Sequence, residues 1–251
     1  MGLSSGLIRV ARMAKLIFDI ETSALPLQNF DEAQREYLFR DVEKIADAAA
    51  REVRRAEIVQ QFNLWPFTAQ VVCLAMLNVE TARGQVLFLA DDFVEDTAEA
   101  PAVKFLPCAE EGELLGNFWE VARKYDHIIT FNGRGFDVPF IYLRSALLNI
   151  PITRRDWLGY RFQTEPHCDL AEQLTFYGVS GREGAARRFN LDFYCKAFGI
   201  DSPKSHGVTG LDISRLLAEG RHRDIAEYCL RDVEATLRLY QVWKERLAGI
   251  K

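Results

Sequence analysis

The chain has 251 residues, of which 49% are hydrophobic and 27% charged. That length and balance suit a globular protein of one large domain or two small ones, and they exclude a disordered tail, a collagen-like repeat and a fibrous rod. The 31 Lys and Arg stand against 36 Asp and Glu, a net charge of −5, which on its face argues against a simple basic nucleic-acid binder.

Taken in chain order, the first 14 residues read as a loose extension, with Met13 as an alternative start. Leu16 to Thr22 carries apolar residues on both faces, the pattern of a central buried strand. Residues 31–62 are rich in Ala, Glu and Arg and lack Pro and Gly, so they read as a helical insertion. Gln70–Leu77 and Val86–Leu89 read as a hairpin turning at Gly84. The stretch from Asp91 to Pro107 is acidic and reads as irregular. A helix at Glu110–Lys124 then precedes a strand at His127–Phe131. A glycine-rich turn leads into a helix from Phe136 to Leu148, which Pro151 ends. His167–Leu170 reads as a fifth strand, and the remainder is helical, closing with a helix from Arg223 to Leu247. The order predicts an α/β protein with a mixed sheet flanked by helices, as one domain over residues 15–251.

The five cysteines, Cys73, Cys108, Cys168, Cys195 and Cys229, form no C-x-x-C pair, which fits reduced thiols and a cytoplasmic setting better than a disulfide framework or a zinc ribbon. No apolar run reaches the length of a membrane span, so no membrane partner is expected.

Three constellations carry chemistry. Asp19 and Glu21 lie two apart on one face of the central strand, where a carboxylate is costly unless it is paired or holds a metal; hard oxygens in pairs suit Mg²⁺ or Mn²⁺. Asn132-Gly133-Arg134-Gly135-Phe136-Asp137 sits where a strand gives way to a helix, a usual place for ligand sites in open α/β sheets. Tyr228 and Asp232 are four apart on the last helix and share a face, so a phenol stands beside a carboxylate and could hold a water. Tyr37 to Asp41 repeats the last spacing, but the similarity ends within seven residues and reads as coincidence. His167 and Asp169 read as a structural pair more readily than as an extension of the site.

In that order the three segments, Phe-Asp19-Ile-Glu21-Thr, Asn132-x-x-x-Phe-Asp137 and Tyr228-x-x-x-Asp232, resemble the three motifs of the DEDD 3′–5′ exonucleases, in the branch marked by a tyrosine in the third motif. The phrases around them are similar to stand-alone bacterial exonucleases related to the proofreading domain of family B DNA polymerases, and the resemblance runs from about Lys15 to the C-terminus. It implies an RNase H-like fold with a five-stranded mixed sheet. It further implies that Asp19, Glu21, Asp137 and Asp232 hold two divalent cations, Mg²⁺ or Mn²⁺, and that Tyr228 positions the attacking water. The helical insertion at 31–62 is longer than the usual connection in such a core.

The implied activity is metal-dependent hydrolysis at the 3′ end of single-stranded DNA, releasing nucleoside 5′-monophosphates. An RNA-directed enzyme on the same site and a catalytically silent nucleic-acid-binding module are the alternatives. Positive charge and aromatic rings should line the groove of such an enzyme. Arg134, the loop at 181–189 and Lys204 are the basic candidates, and Thr22, Asn132 and Phe136 complete the expected substrate-binding set beside the motif acids. Residues 1–120 carry 11 basic and 20 acidic side chains whereas residues 121–251 carry 20 and 16, so the overall acidity hides a basic half that supplies most of the expected groove. The expected affinity for nucleic acid is modest, salt-sensitive and dependent on metal.

Overall fold

The computed structural model describes residues 14–90, 101–178, 186–201 and 210–250. The first 13 residues, Met13 among them, and Lys204 lie outside the described residues. Among the described residues six strands form one mixed sheet: β1 (Lys15–Ala24), β2 (Ala69–Asn78), β3 (Gly84–Leu89), β4 (Val103–Cys108), β5 (His127–Thr130) and β6 (His167–Asp169), in the spatial order β4-β3-β2-β1-β5-β6. β1 pairs antiparallel with β2 and parallel with β5, and β2 pairs antiparallel with β3 as the hairpin pattern predicts.

The expectation of five strands is corrected here: β4 lies parallel to β3 inside the stretch read as irregular. Pro107 near its end lacks an N–H, and Lys104 is exposed, features that an interior strand would not carry but an edge strand accommodates.

The sheet has apolar residues on both faces, as β1 shows most plainly. Leu16, Phe18 and Ile20 pack toward α3 (Glu111–Ala122) and α4 (Asp137–Leu147), in a core that includes Trp119 and Trp157. Ile17 points to the opposite face, into a core shared with α8 (His222–Arg246) through Cys229, Val233 and Leu237. Asp19 and Glu21 have the parity of Ile17, so the strand's alternation delivers both carboxylates to the α8 side. Three short helices among the described residues also pack on that side: α5 (Leu170–Leu174), α6 (Leu191–Ala197) and α7 (Ile213–Ala218).

The insertion is two helices, not one. α1 (Glu32–Phe39) starts in a capping box between Asp31 and Gln34, and α2 (Ala48–Gln61) starts at Asp47, whose side chain accepts the N–H of Ala50. The break at 40–47 tucks Val42 among Phe30, Phe39, Ile58 and Phe62, a small separate core. Asn63 fastens this piece to the sheet: its Oδ1 accepts the N–H of Ala24 at 2.6 Å and the hydroxyl of Ser214 at 3.1 Å, while its carbonyl accepts the hydroxyl of Thr22 at 2.7 Å. All five cysteines are free and buried. No helix among the described residues is long and apolar enough to cross a membrane.

Candidate active site

β1 supplies the floor. Its register with β2 shifts between Glu21 and Thr22, a bulge that bends the pair just past the two acids. β5 accompanies β1 only over Lys15–Ile17, so among the described residues the edge of β1 beyond that point lacks a strand partner on this side. Asp137, the first residue of α4, fills the gap: its Oδ1 accepts the backbone N–H of Ile20 at 3.1 Å. The acid of the second motif is thereby fixed to the residue between the two acids of the first.

The loop that delivers Asp137 is tightly determined. Asn132 adopts the left-handed conformation at φ 68°, which Asn tolerates better than most residues. Gly133 passes so close to Thr130 that an added Cβ would lie 2.4 Å from its Oγ1. The Asp169 carboxylate accepts three backbone N–H groups, from Asn132 at 2.9 Å, Arg134 at 2.9 Å and Ala171 at 3.0 Å. Thr130 Oγ1 accepts the Gly133 N–H at 3.1 Å and lies 2.7 Å from His167 Nε2. His167 Nδ1 donates to the Trp157 carbonyl at 3.1 Å, so Nε2 is the acceptor for the Thr130 hydroxyl. Burial pushes the His167 pKa down to about 3, which keeps the ring neutral. His167 and Asp169 are thus the scaffold of the loop.

From the other side, α8 packs across β1 and β2 and brings Tyr228 and Asp232, one helical turn apart. Asp19, Glu21, Asp137, Tyr228 and Asp232 line one cavity of about 530 Å³ together with Asn132 and Phe136. A larger cavity of about 820 Å³ lies between Phe162, Phe176 and Trp243 and contains none of the motif residues. Convergent titratable groups distinguish the smaller one.

The acids repel one another. Burial, then Asp137, Asp232 and Glu21, hold Asp19 well above the ordinary carboxylate range. Burial, then Asp232 and Asp137, do the same to Glu21. Burial raises Asp137 to about 7 in spite of its bond to Ile20. Tyr228 is pushed up by burial and by Asp232, Glu21 and Asp19, so it is a protonated phenol at any physiological pH, hydrogen-bonded to Asp232.

This donor set fits divalent cations. Carboxylate oxygens are hard ligands, and added positive charge would offset the repulsion that burial magnifies. Asp19, Glu21 and Cys229 each place one potential ligand atom within 4.8 Å of the others. Cys229 is nevertheless a poor member: its thiol is fully buried, shifted up by that burial, and within 3.5 Å of the backbone oxygen of Asp19 as donor. Asp137 and Asp232 complete an all-oxygen set around the cavity.

The remaining expected residues divide. Asn132 and Phe136 line the cavity, whereas Thr22 is bonded to Asn63 instead. The guanidinium of Arg134 donates to the carbonyls of Gly159 and His167, both at 3.2 Å, and pairs with Glu172 at 3.2 Å, away from the cavity lining. Charge alone could not reveal that these partners use it. Within the basic loop singled out on charge, Arg188 and Phe189 do line the cavity, followed by Asn190, Leu191 and Asp192, which no motif marked.

Comparison with known proteins places this geometry. The first 180-residue match, at 28% identity, is to DNA polymerase 1 of Sulfolobus acidocaldarius and covers 67% of this chain but 19% of that protein. DNA polymerase 1 of Saccharolobus solfataricus matches over the same length at 27%, and that of Sulfurisphaera ohwakuensis at 32% over 148 residues. The chain therefore spans about a fifth of the length of the curated relatives it matches. Among solved structures, the family B DNA polymerase of Pyrobaculum calidifontis superposes with a TM-score of 0.55 over 92% of this chain and 24% of that one, at 17% identity, which shows the RNase H-like fold. The family model described as "Predicted 3'-5' exonuclease related to the exonuclease domain of PolB" matches residues 87–248, well over half of the chain and including the second and third motifs. The chain belongs to that family of exonucleases related to the exonuclease domain of PolB.

Proposed function

We propose that this chain is a metal-dependent 3′–5′ exonuclease that shortens single-stranded DNA from its 3′ end and releases nucleoside 5′-monophosphates. The observation that carries the reading is the convergence of Asp19 and Glu21 from β1, Asp137 from α4 and Asp232 from α8 on one cavity, with the first three held above the usual carboxylate range. In this reading residues 15–251 form the exonuclease domain, with residues 31–62 as its helical insertion.

Asp19, Glu21, Asp137 and Asp232 would hold two divalent cations, Mg²⁺ or Mn²⁺, which when bound would offset the carboxylate charge and stabilise the attacking and leaving oxygens of the phosphodiester. Tyr228 is a hydrogen-bond donor and not a base, because burial keeps its phenol protonated. It orients the attacking water toward phosphorus. The bond from phosphorus to the 3′ oxygen of the shortened strand breaks, so the phosphate leaves on the 5′ carbon of the released nucleotide. Asn132 and Phe136 face the strand. Thr22 and Arg134 hold the surrounding loops, and Lys204 is kept as a strand contact on the family resemblance alone.

DNA is favoured over RNA because the matched relatives carry the name DNA polymerase. An intact set of acids beside Tyr228 favours catalysis over a silent binding module. Chromatographic identification of the products from matched DNA and RNA oligonucleotides tests the reading. Nucleoside 5′-monophosphates released faster from DNA support it. Nucleoside 3′-monophosphates would overturn the mechanism, and faster release from RNA would overturn the substrate.

A further inference from the structure

The cavity over the four acids has a second wall that the motifs do not account for. Residues 188–192 border it, and Arg188 is the one Lys or Arg among the described residues that line it. Arg188 is exposed, and its Nη2 is hydrogen-bonded to Asn132 Oδ1 at the cavity rim. An amide acceptor is neutral, so the guanidinium keeps its full charge and donors for an anion.

Phe189 lines the cavity beside it and stacks on Phe193, with ring centroids 4.2 Å apart and planes 10° from parallel. Phe193 is 51% exposed. The segment is anchored from behind: the buried Tyr194 hydroxyl donates to the Arg187 carbonyl at 3.2 Å and accepts the Phe189 N–H at 3.4 Å. Asn190 caps α6 by accepting the Phe193 N–H at 2.9 Å. A positive group and an aromatic pair whose outer ring, Phe193, is exposed thus stand on a fixed base, next to the acidic floor of the cavity.

We infer that Arg188 and the Phe189–Phe193 pair form a clamp for the last nucleotides of a single strand, the guanidinium on a backbone phosphate and the rings against an unpaired base. This rests on the exonuclease reading above and names the contacts of that same site. Asp19, Glu21, Asp137 and Asp232 are acids that would face cations at the scissile phosphate, so they offer a phosphate outside that spot no attraction. Arg188 supplies it. A base can lie against a ring only where it is unstacked from its neighbours, as at the end of a single strand, and stacking of this kind tolerates any sequence.

The test pairs changes in the protein with changes in the probe, a 5′-fluorescein-labelled single-stranded oligonucleotide whose binding is followed by anisotropy with Ca²⁺ in place of Mg²⁺. Removing one charge as a methylphosphonate at the second linkage from the 3′ end, clear of the scissile phosphate, should weaken binding to the wild type about tenfold. The same change should cost Arg188→Gln little, and Arg188→Lys should retain part of the loss. Replacing either of the two 3′-terminal nucleotides by an abasic one should weaken the wild type by about tenfold and Phe189→Leu or Phe193→Ala much less. Phe189→Leu keeps apolar bulk against the core, and Phe193 is exposed, so both variants should fold. Losses that simply add, with each variant as sensitive to the altered probe as the wild type, would overturn the clamp. A wild type that binds with these couplings yet releases no nucleotide in Mg²⁺ or Mn²⁺ would overturn the nuclease reading and leave the clamp standing. A wild type that binds no single strand would overturn both.

Discussion

Asp137 Oδ1 accepts the backbone N–H of Ile20 at 3.1 Å, in the gap where β5 no longer accompanies β1. One carboxylate therefore has two tasks, closing the edge of the central strand and facing the cavity. Asn in its place keeps the acceptor and loses the charge. Asp137→Asn should melt in EDTA at or above the wild type, because the repulsion with Asp19 and Glu21 is relieved, while nucleotide release falls at least about a hundredfold. Asp137→Ala should lose activity equally but also leave a buried N–H unpaired, at about 1–3 kcal/mol. Thermal melts of the two variants beside the wild type separate the tasks. Equal stability of Asn and Ala variants would show that the bond to Ile20 contributes nothing.

The same acids predict how metal and pH interact. Asp137 titrates near 7 against an ordinary 3.8, and Asp19 and Glu21 are also shifted upward, each mainly by burial. Without metal, the folded protein keeps protons that the unfolded chain releases. Stability from this cluster is therefore present at low pH and lost as pH rises from about 4 through about 7. His127 and His167 act oppositely, since burial lowers them to about 4 and about 3 and the unfolded chain takes up their protons below 6.5. Their effect is common to metal-free and metal-bound protein. The rise in Tm on replacing EDTA with Mn²⁺ should accordingly be larger at pH 8 than at pH 5, where protons compete for the ligands. Calorimetry at the two pH values gives the comparison, and an equal or reversed rise would contradict the cluster as a metal site.

His167 should prove structural. It bridges Thr130 and Trp157 beneath the loop that carries Asn132 and Asp137. His167→Phe keeps the bulk but strands a hydroxyl and a carbonyl in the interior, and urea unfolding should register a loss of about 2–4 kcal/mol. A variant of wild-type stability would remove His167 from the scaffold of the loop.

Asn63 holds the helical insertion to the end of β1 through its bonds with Ala24 and Thr22, and to α7 through Ser214. Asn63→Ala removes both bonds at Oδ1 and leaves the Ala24 N–H to find water, whereas Asn63→Asp retains an acceptor. Proteolysis within residues 25–68 should accelerate in the Ala variant and much less in the Asp variant. Identical cleavage rates in both would mean that the small aromatic core of the insertion holds its place unaided.

The parts of this protein most legible in its sequence were those set by strong periodicity or by buried charge. Carboxylates at Asp19 and Glu21 in an otherwise apolar strand cannot be ordinary surface acids, and their parity alone places them with Ile17 on the face that α8 covers. The strand β4 escaped because Lys104 and Pro107 interrupt its pattern, which an edge position permits. The break between α1 and α2 escaped because the composition stays helical across it. Only Asp47, a single capping side chain, marks the restart. Arg134 and Arg188 looked alike as charges in loops. Their roles diverge through long-range partners, Glu172 and two carbonyls for one and a cavity rim for the other, which spacing does not encode.

In the proposed reaction, four acids gathered from β1, α4 and α8 hydrolyse a strand from its 3′ end with divalent metal. The most direct measurement is gel-resolved digestion of a 5′-labelled single-stranded DNA by the wild type, Asp19→Ala and Asp232→Ala, in Mg²⁺, Mn²⁺ and EDTA, with circular dichroism confirming that each variant is folded. A ladder shortening by one nucleotide at a time is expected from the wild type with either metal, and an intact substrate in EDTA and with both folded variants. The same ladder from either folded variant, or from the wild type in EDTA, would overturn the proposed reaction.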